Sequence, residues 1–496
     1  MAREYMQYIE SSSSSANNSN STPWSSILDT MLVGTVRTQS ASSLVTDSAA
    51  GATAFACALK TYNGAVGVDP HGRACGTILE AAKAHGYLTA LVTSARITHA
   101  TPASFAAHIV DRDMEDLAAI HMLAQNATTH ASTVDIMLGG GRCHFLPQSD
   151  SQSCRSDDTN VWTAAQRQNF ATLQSRSQFE MLQQTKLPIL GLFAQNHMAF
   201  EIDRKYSKDS DNNDDEQPSL SEMAVQTLER LHKSEQNTKG FFVMIEGARI
   251  DMAAHDNDPA THVRDIIEYW RTVARVREFA AQNPDTLVIS TSDHETGGLT
   301  LGIDPEYLWH PSVLRPIRRS ADAMCTMLRR MSRKSSHTDN NDDDNDDGDD
   351  NSSVSEFIAQ TLFPEYLGIT NHTKSELLQI TDTLHKNKNN NAKDNDDGGE
   401  KSHGHKKCKR AIGAIVSQRA HVGWSTGGHT GADVGLYAYG NHANMFHGNM
   451  ENTRLGELLM EYLDVDTQDV TKALNGLDTR QAAFVSKPHF FDHDHD

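Results

Sequence analysis

Apolar residues along this chain fall into two kinds of run, and the two alternate. One kind is short and rich in β-branched residues. Tyr87-Leu88-Thr89-Ala90-Leu91-Val92-Thr93, Phe241-Phe242-Val243-Met244-Ile245 and Thr286-Leu287-Val288-Ile289-Ser290-Thr291 are the clearest examples, and they read as strands. The middle run is apolar throughout, which predicts a strand buried on both faces. The other kind has helical spacing, as in 76–85 just ahead of the first strand. Alternating strands and helices predict an α/β fold with a central, mostly parallel sheet flanked by helices, a three-layer sandwich. Chemically capable side chains follow the strands. Glu246, Asp251 and His255 come after the second, Asp293 and His294 after the third. Open α/β sheets place their sites at the carboxyl ends of strands.

Four polar tracts interrupt this pattern: 11–22 (Ser/Asn-rich), 208–218 (acidic), 332–353 (Asp/Asn-rich) and 386–410 (Asn, Lys and Asp, ending in a basic His/Lys cluster). None has the apolar content to offset chain entropy, so all four are expected to be unstructured surface inserts. His403, His405, His489, His493 and His495 belong to such compositional clusters and are expected to be exposed. The chain, 1–496, reads as one domain carrying these inserts, without internal repeats.

Composition changes the picture in three ways. The formal net charge is −21, with eight aspartates in 339–350 alone. That argues against nucleic acid as a partner, and any phosphate site must make its own local positive field. The six cysteines (Cys57, Cys75, Cys143, Cys154, Cys325 and Cys408) include no C-x-x-C pair. A disulfide-rich scaffold and a cysteine zinc site are not expected; one or two disulfides are, with Cys143–Cys154 a candidate, set against six free or buried thiols. No apolar stretch approaches the roughly 20 residues needed to span a bilayer, and Met1-Ala2-Arg3-Glu4-Tyr5 is not the start of a signal peptide. Sequons at Asn17, Asn20, Asn126, Asn351 and Asn371 are weak pointers to a secretory route.

With these, three further positions, His429, Ser48 and Arg112, carry candidate chemistry. Asp251 and His255 stand four apart, so a helical turn would put carboxylate and imidazole on one face. His429 lies in a Gly-rich loop, Gly427-Gly428-His429-Thr430-Gly431. Carboxylate plus imidazole suits zinc; Asp251, His255 and His429 would leave one open position, and Asp293 with His294 would begin a second site. Ser48, followed by Ala49-Ala50-Gly51-Ala52, would sit at a helix start, as a cap or as a nucleophile aided by backbone N–H groups. With no histidine nearby in sequence, metal activation is favoured over a hydrolase triad. Arg112 in Asp111-Arg112-Asp113 could clamp two phosphate oxygens or merely pair with its acidic neighbours.

Taken together these segments resemble the alkaline phosphatase family. The resemblance is carried by 45–69 (VTDSAAGATAFACALKTYNGAVGVD), 98–112 (THATPASFAAHIVDR), 246–255 (EGARIDMAAH), 292–298 (SDHETGG) and 428–433 (GHTGAD), in family order. Wording such as GTILEAAKAHGYLTALVTSARIT and MLGGGRCHF is most similar to fungal vacuolar-type members. The resemblance implies a phosphomonoester hydrolase working at alkaline pH through a phosphoserine on Ser48. It implies two zinc ions, one held by Asp251, His255 and His429, the other by Asp293 and His294. It implies one magnesium ion held by Thr101 and Glu246, with His99 beside it. Arg112 would bind phosphoryl oxygens and Asp47 would orient Arg112. A homodimer in the vacuolar lumen, with any membrane anchor upstream of Met1, is implied too. A sulfatase is not indicated, because Ser48-Ala49-Ala50-Gly51 lacks the required Pro and Arg.

This sequence departs from the family pattern at the front, where a strand ending in a Gly-Asp-Gly-Met-Gly-like turn supplies an aspartate to the second zinc and the magnesium. No such turn occurs here, so the expectation is a missing central strand, exposed sheet edges and a truncated start. Trp270 stands where the pattern has an aspartate, Met252 where relatives carry His or Lys, and His99 where fungal relatives carry Asp. These departures imply an alternative, a catalytically impaired relative.

Overall fold

The structure is a computed structural model that describes residues 1–13, 24–123, 132–206, 216–234, 239–303, 305, 307–335, 350–384 and 403–476. In chain order, the elements that position the site are α1 (Ala2–Ser13), β1 (Leu32–Arg37), α2 (Ser48–Cys57), α3 (Ile78–Ala84), β2 (Leu88–Arg96), β3 (Ile136–Gly140), β4 (Ala171–Leu173), β5 (Ile189–Leu192), α4 (Leu220–His232), β6 (Phe241–Glu246), α5 (Arg249–His255), α6 (Pro259–Gln282), β7 (Leu287–Ser290), α7 (Ala321–Ser335), α8 (His403–Ala420), β8 (Val434–Gly440), β9 (Gly448–Glu451) and α9 (Asn452–Leu463). The expected helix and all three expected strands are present to within a few residues.

The strands form two sheets. One has the order β4-β5-β3-β2-β6 and is parallel throughout. The other has the order β9-β1-β8-β7. There β1 runs parallel to β9, while β8 is antiparallel to both β1 and β7. Successive side chains point to opposite faces. On one face Leu91, Met137 and Leu190 pack against residues of α2 and α3. On the other, Ala90, Val92, Ile136 and Leu138 pack against Leu220, Met223 and Leu231 of α4. In the second sheet Val36, Leu436 and Ala438 meet Leu455 and Leu458 of α9, while Val288 meets Val273 and Ala280 of α6. Helices thus cover both faces, giving the three layers expected.

Strands β6 and β7 each terminate their sheet and face one another across a cavity of about 1480 Å³. The cavity is lined by every residue of β6 and β7, by Tyr269, Val273 and Val276 of α6, and by Phe55, Leu455 and Leu459 on the opposite side. The all-apolar 241–245 strand was expected to be fully buried. Its residues are instead half-buried, because among the described residues only β2 pairs with it and its other edge lines the cavity.

Three further expectations need correction. There are three disulfides, Cys57–Cys75, Cys143–Cys154 and Cys325–Cys408, and no free cysteine. The edges of the polar tracts are helical. Helix α1 runs to Ser13, α7 to Ser335, another helix covers Asp350–Phe357, and α8 starts at His403. His405 is buried, with Nε2 2.9 Å from Asp322 Oδ1, so the basic cluster is a docked helix start rather than a solvated tail. The middles of the tracts, Asn17, Asn20, Asn126, His489, His493 and His495 lie outside the described residues. Trp270 lies inside α6 and stacks on Trp24 with centroids 5.0 Å apart. Among the described residues no helix is long and apolar enough to cross a membrane.

Candidate active site

Helix α2 starts at Ser48 because Asp47 caps it. Asp47 has extended backbone and its Oδ1 accepts the Ala50 N–H at 3.0 Å. Ser48 therefore occupies the first helical position, buried and beside the positive end of the helix dipole. The small residues after it have a purpose. A Cβ on Gly51 would lie 3.0 Å from the Asp293 Cβ, so Gly51 lets the segment after β7 approach α2 closely. The result is a hydrogen bond of 2.9 Å between Ser48 Oγ and His294 Nε2.

A Ser48–His294–Asp293 triad does not result. Asp293 Oδ2 lies 3.1 Å from the same Nε2, whereas a triad aspartate must hold the other ring nitrogen. His294 Nδ1 faces Thr296 Oγ1 at 3.2 Å. Burial disfavours the charged ring, but Asp293 and Asp251 outweigh it and raise the His294 pKa to about 9.

Three segments converge beside Ser48. Helix α5 presents Asp251 and His255 one turn apart on one face, as their spacing predicts. A two-residue ribbon pairs His429 with Thr296 and Thr430 with Glu295, tying the His429 loop to the segment after β7. Asp251, His255 and His429 bring ligand atoms within 4.8 Å of one another. Each ring is fixed from behind: His255 Nδ1 lies 2.7 Å from the Gly427 carbonyl and His429 Nδ1 lies 2.8 Å from the Thr46 carbonyl. Both Nδ1 atoms must donate, so in the neutral rings both Nε2 atoms present lone pairs, and these lie only 3.1 Å apart. Two facing lone pairs need a cation or proton between them. Asp251 closes the group, 3.4 Å from His255 and 3.6 Å from His429. Burial opposes its ionisation, but His255, His429 and His294 hold its carboxyl well below the usual range. The donor set, the fixed tautomers and the converging lone pairs fit a zinc-type ion.

A second concentration of acceptors lies at the end of β6. Glu246 Oε2 accepts the Thr93 hydroxyl at 2.6 Å, and Thr101 lines the same cavity. Burial, aided by the charges of Asp293 and Asp251, raises the Glu246 pKa to about 7. This crowding of buried carboxylates would be relieved by a hard cation, and the oxygen donors of Thr101 and Glu246 suit magnesium.

Arg112 does not pair with its sequence neighbours. Its Nη1 donates to Asp47 Oδ2 at 3.0 Å and its Nη2 to His99 Nε2 at 3.2 Å. Burial, then the Arg112 charge, lowers the His99 pKa to about 3, leaving a neutral ring. Its Nδ1 is buried without a partner among the described residues. Met252 packs against the core cluster that includes Ile412 and Ile415 of α8, and its sulfur accepts a hydrogen bond from Arg249 Nη1 at 2.9 Å. The structure thus places Ser48, His99, Thr101, Glu246, Asp251, Asp293 and His294 on the lining of the β6–β7 cavity, with Asp47 and Arg112 reaching it through His99 and His255 and His429 through Asp251. Sequence reasoning missed Thr296, whose hydroxyl donates to Asp251 Oδ1 at 2.5 Å. Strand alternation could have found it, two residues after His294. It also missed Thr93, for which no local signal exists.

The family model for alkaline phosphatase matches residues 6–465. The chain is similar to the alkaline phosphatase of Schizosaccharomyces pombe, 40% identical over 455 residues covering 90% of this chain and 76% of that protein. It is also similar to the repressible alkaline phosphatase of Saccharomyces cerevisiae, 38% identical over 500 residues covering 95% of this chain and 80% of that protein. Among solved structures, the cold-active alkaline phosphatase of a Shewanella species superimposes with a TM-score of 0.69 at 29% identity, covering 93% of this chain and 96% of that one. A matched family model, relatives matched along most of their length and a shared fold all agree: the chain belongs to the alkaline phosphatase family and is a phosphatase.

Proposed function

We propose that this chain hydrolyses phosphate monoesters through a phosphoserine on Ser48, in a metal-dependent reaction at alkaline pH. The observation that carries the proposal is the 2.9 Å contact of Ser48 Oγ with His294 Nε2, next to two imidazoles whose lone pairs converge. Asp251, His255 and His429 would hold one zinc ion, Asp293 and His294 a second, and Thr101 and Glu246 a magnesium ion with His99 beside it. Bound there, the metals would supply Lewis-acid charge and lower the pKa of coordinated hydroxyl groups.

The protein's own groups account for the rest. The Asp47 cap sets Ser48 at the start of α2, where the backbone dipole favours negative charge. Arg112, held by Asp47 and His99, retains N–H donors for the phosphoryl oxygens. Ser48 Oγ attacks phosphorus and yields its proton to solvent; the P–O bond to the ester oxygen breaks and that oxygen takes up a proton from solvent. A water oxygen then bonds to phosphorus, the Oγ–P bond breaks, Oγ takes back a proton and inorganic phosphate leaves. Hydrogen bonds to Arg112 favour the dianionic transferring group throughout. The same reading takes 1–496 as one catalytic domain, acting on small phosphate monoesters as a homodimer in the vacuolar lumen. The likeness to fungal members supports the compartment.

The test is p-nitrophenyl phosphate turnover above about pH 8 with zinc and magnesium supplied. Ser48→Ala should lower kcat at least ~1,000-fold, and chelation should abolish wild-type turnover until zinc and magnesium are returned. Turnover retained in Ser48→Ala would refute the assignment.

A further inference from the structure

Helix α8 contributes no residue to the site, yet it braces both segments that carry the imidazoles. A Cβ on Gly413 would stand 2.7 Å from the Asn257 carbonyl and 2.9 Å from that of Asp256. Glycine there lets α8 lie directly against the backbone that follows His255. Ser417 Oγ donates to the Asn257 carbonyl at 3.3 Å, and Asn257 Nδ2 in turn donates to the carbonyls of Ala254 and Thr426 at 3.0 Å each. The backbone after His255 and the backbone before His429 are thus joined through a residue that α8 holds.

Two adjacent cations complete the brace. Lys409 Nζ lies 3.0 Å from Asp256 Oδ2 and 3.5 Å from Asp322 Oδ1. Its side chain is only 11% exposed, as is that of Asp256. A buried pair of this kind costs several kcal/mol to break by removing one partner, so Asp256, the neighbour of His255, has a fixed place. The Arg410 guanidinium lies against Gly427, where a Cβ would collide with it. Gly427 supplies the carbonyl that fixes the His255 tautomer. One residue earlier, Cys408 is bonded to Cys325 of α7, and His405 is paired with Asp322.

We propose that α8 is a positioning element for the Asp251–His255–His429 cluster, acting through Lys409 and Arg410, with the Cys325–Cys408 bond holding it in register. The inference rests on the metal reading of that cluster. Neither residue touches the reacting atoms. Their loss acts by letting His255 and His429 drift from the geometry in which both lone pairs meet one ion.

The test is zinc retention by the full chain against graded EDTA, well below the unfolding temperature, for wild type, Lys409→Met, Lys409→Arg, Arg410→Ala and His255→Ala. Lys409→Met and Arg410→Ala should each weaken retention about 10–100-fold, the range for outer partners of a metal ligand. Lys409→Arg, which keeps the ion pair, should regain most of it. In turnover, kcat should fall while KM moves less than about 2-fold. Cys325→Ser/Cys408→Ser leaves both cations in place and covers the case in which a charge variant does not fold; it should show a smaller loss of retention. Retention unchanged in these variants while His255→Ala weakens it would overturn the inference alone. Zinc binding that His255→Ala leaves untouched would overturn the metal reading and the inference with it.

Discussion

Asp47 joins three functions in one carboxylate, and substitution can separate them. Its Oδ1 caps α2 through Ala50 N at 3.0 Å, and its Oδ2 accepts the Gly64 N–H at 3.0 Å and the Arg112 guanidinium at 3.0 Å. Removing a cap costs about 1 kcal/mol. Leaving the Gly64 N–H without its acceptor costs about 1–3 kcal/mol. The ion pair, with side chains 25% and 17% exposed, adds at most about 1 kcal/mol. The three terms share one group and do not simply add, so Asp47→Ala should lose about 3 kcal/mol in urea unfolding. Asp47→Ser keeps a capping oxygen while abandoning Gly64 and Arg112, and should be about 1 kcal/mol more stable than the alanine variant. Both release Arg112 from its orienting partner. Both should therefore bind inorganic phosphate about 10-fold more weakly as an inhibitor, a change of about 1.4 kcal/mol. Equal stability of the two variants would refute the cap. Unchanged phosphate inhibition in both would refute the role of Asp47 in aiming Arg112.

Two other expectations use different parts of the molecule. Burial raises the Asp203 pKa from 3.8 to about 6, against the opposing hydrogen bonds from Ser320. The folded state then holds this proton more tightly than the unfolded chain does. Its contribution is complete below about pH 4 and disappears as pH rises through about 6. Urea midpoints measured across that window should fall more steeply for wild type than for Asp203→Asn, and identical slopes would reject the assignment. Helix α9 packs on α2 through Gly456, where a Cβ would stand 2.7 Å from the Phe55 carbonyl. Gly456→Leu should cost about 1–3 kcal/mol or more by overpacking and should lower kcat as well, since α2 carries Ser48; a stability loss with kcat intact would show that α2 tolerates the displacement.

The layered fold was legible because the strands at 87–93, 241–245 and 286–291 announce themselves locally, the last two followed by acidic and imidazole side chains. The i, i+4 spacing of Asp251 and His255 likewise predicted one helical face. What local pattern could not supply was pairing across long separations. The 386–410 tract reads as solvated because its charges are counted singly. His405 and Lys409 are buried only because Asp322 and Asp256, far away in sequence, meet them. Ser48 and His294 are brought together by the small size of Gly51, a fact about three-dimensional approach rather than motif. Disulfide connectivity belongs to the same class, since spacing alone leaves many pairings open.

Among the described residues β6 and β7 each leave one edge unpaired, and this bears on how molecules of this chain meet one another. Each edge is a row of backbone donors and acceptors with apolar side chains alongside, a template for any extended segment that reaches it. Both stand in one slot, so a single inserted segment could pair on two sides at once, a stronger attachment than an ordinary edge offers. Colloidal stability then depends on competition between this template and the mutual repulsion of chains carrying a net charge of −21. Salt screens that repulsion but hardly weakens backbone pairing, so added salt should promote self-association of this chain.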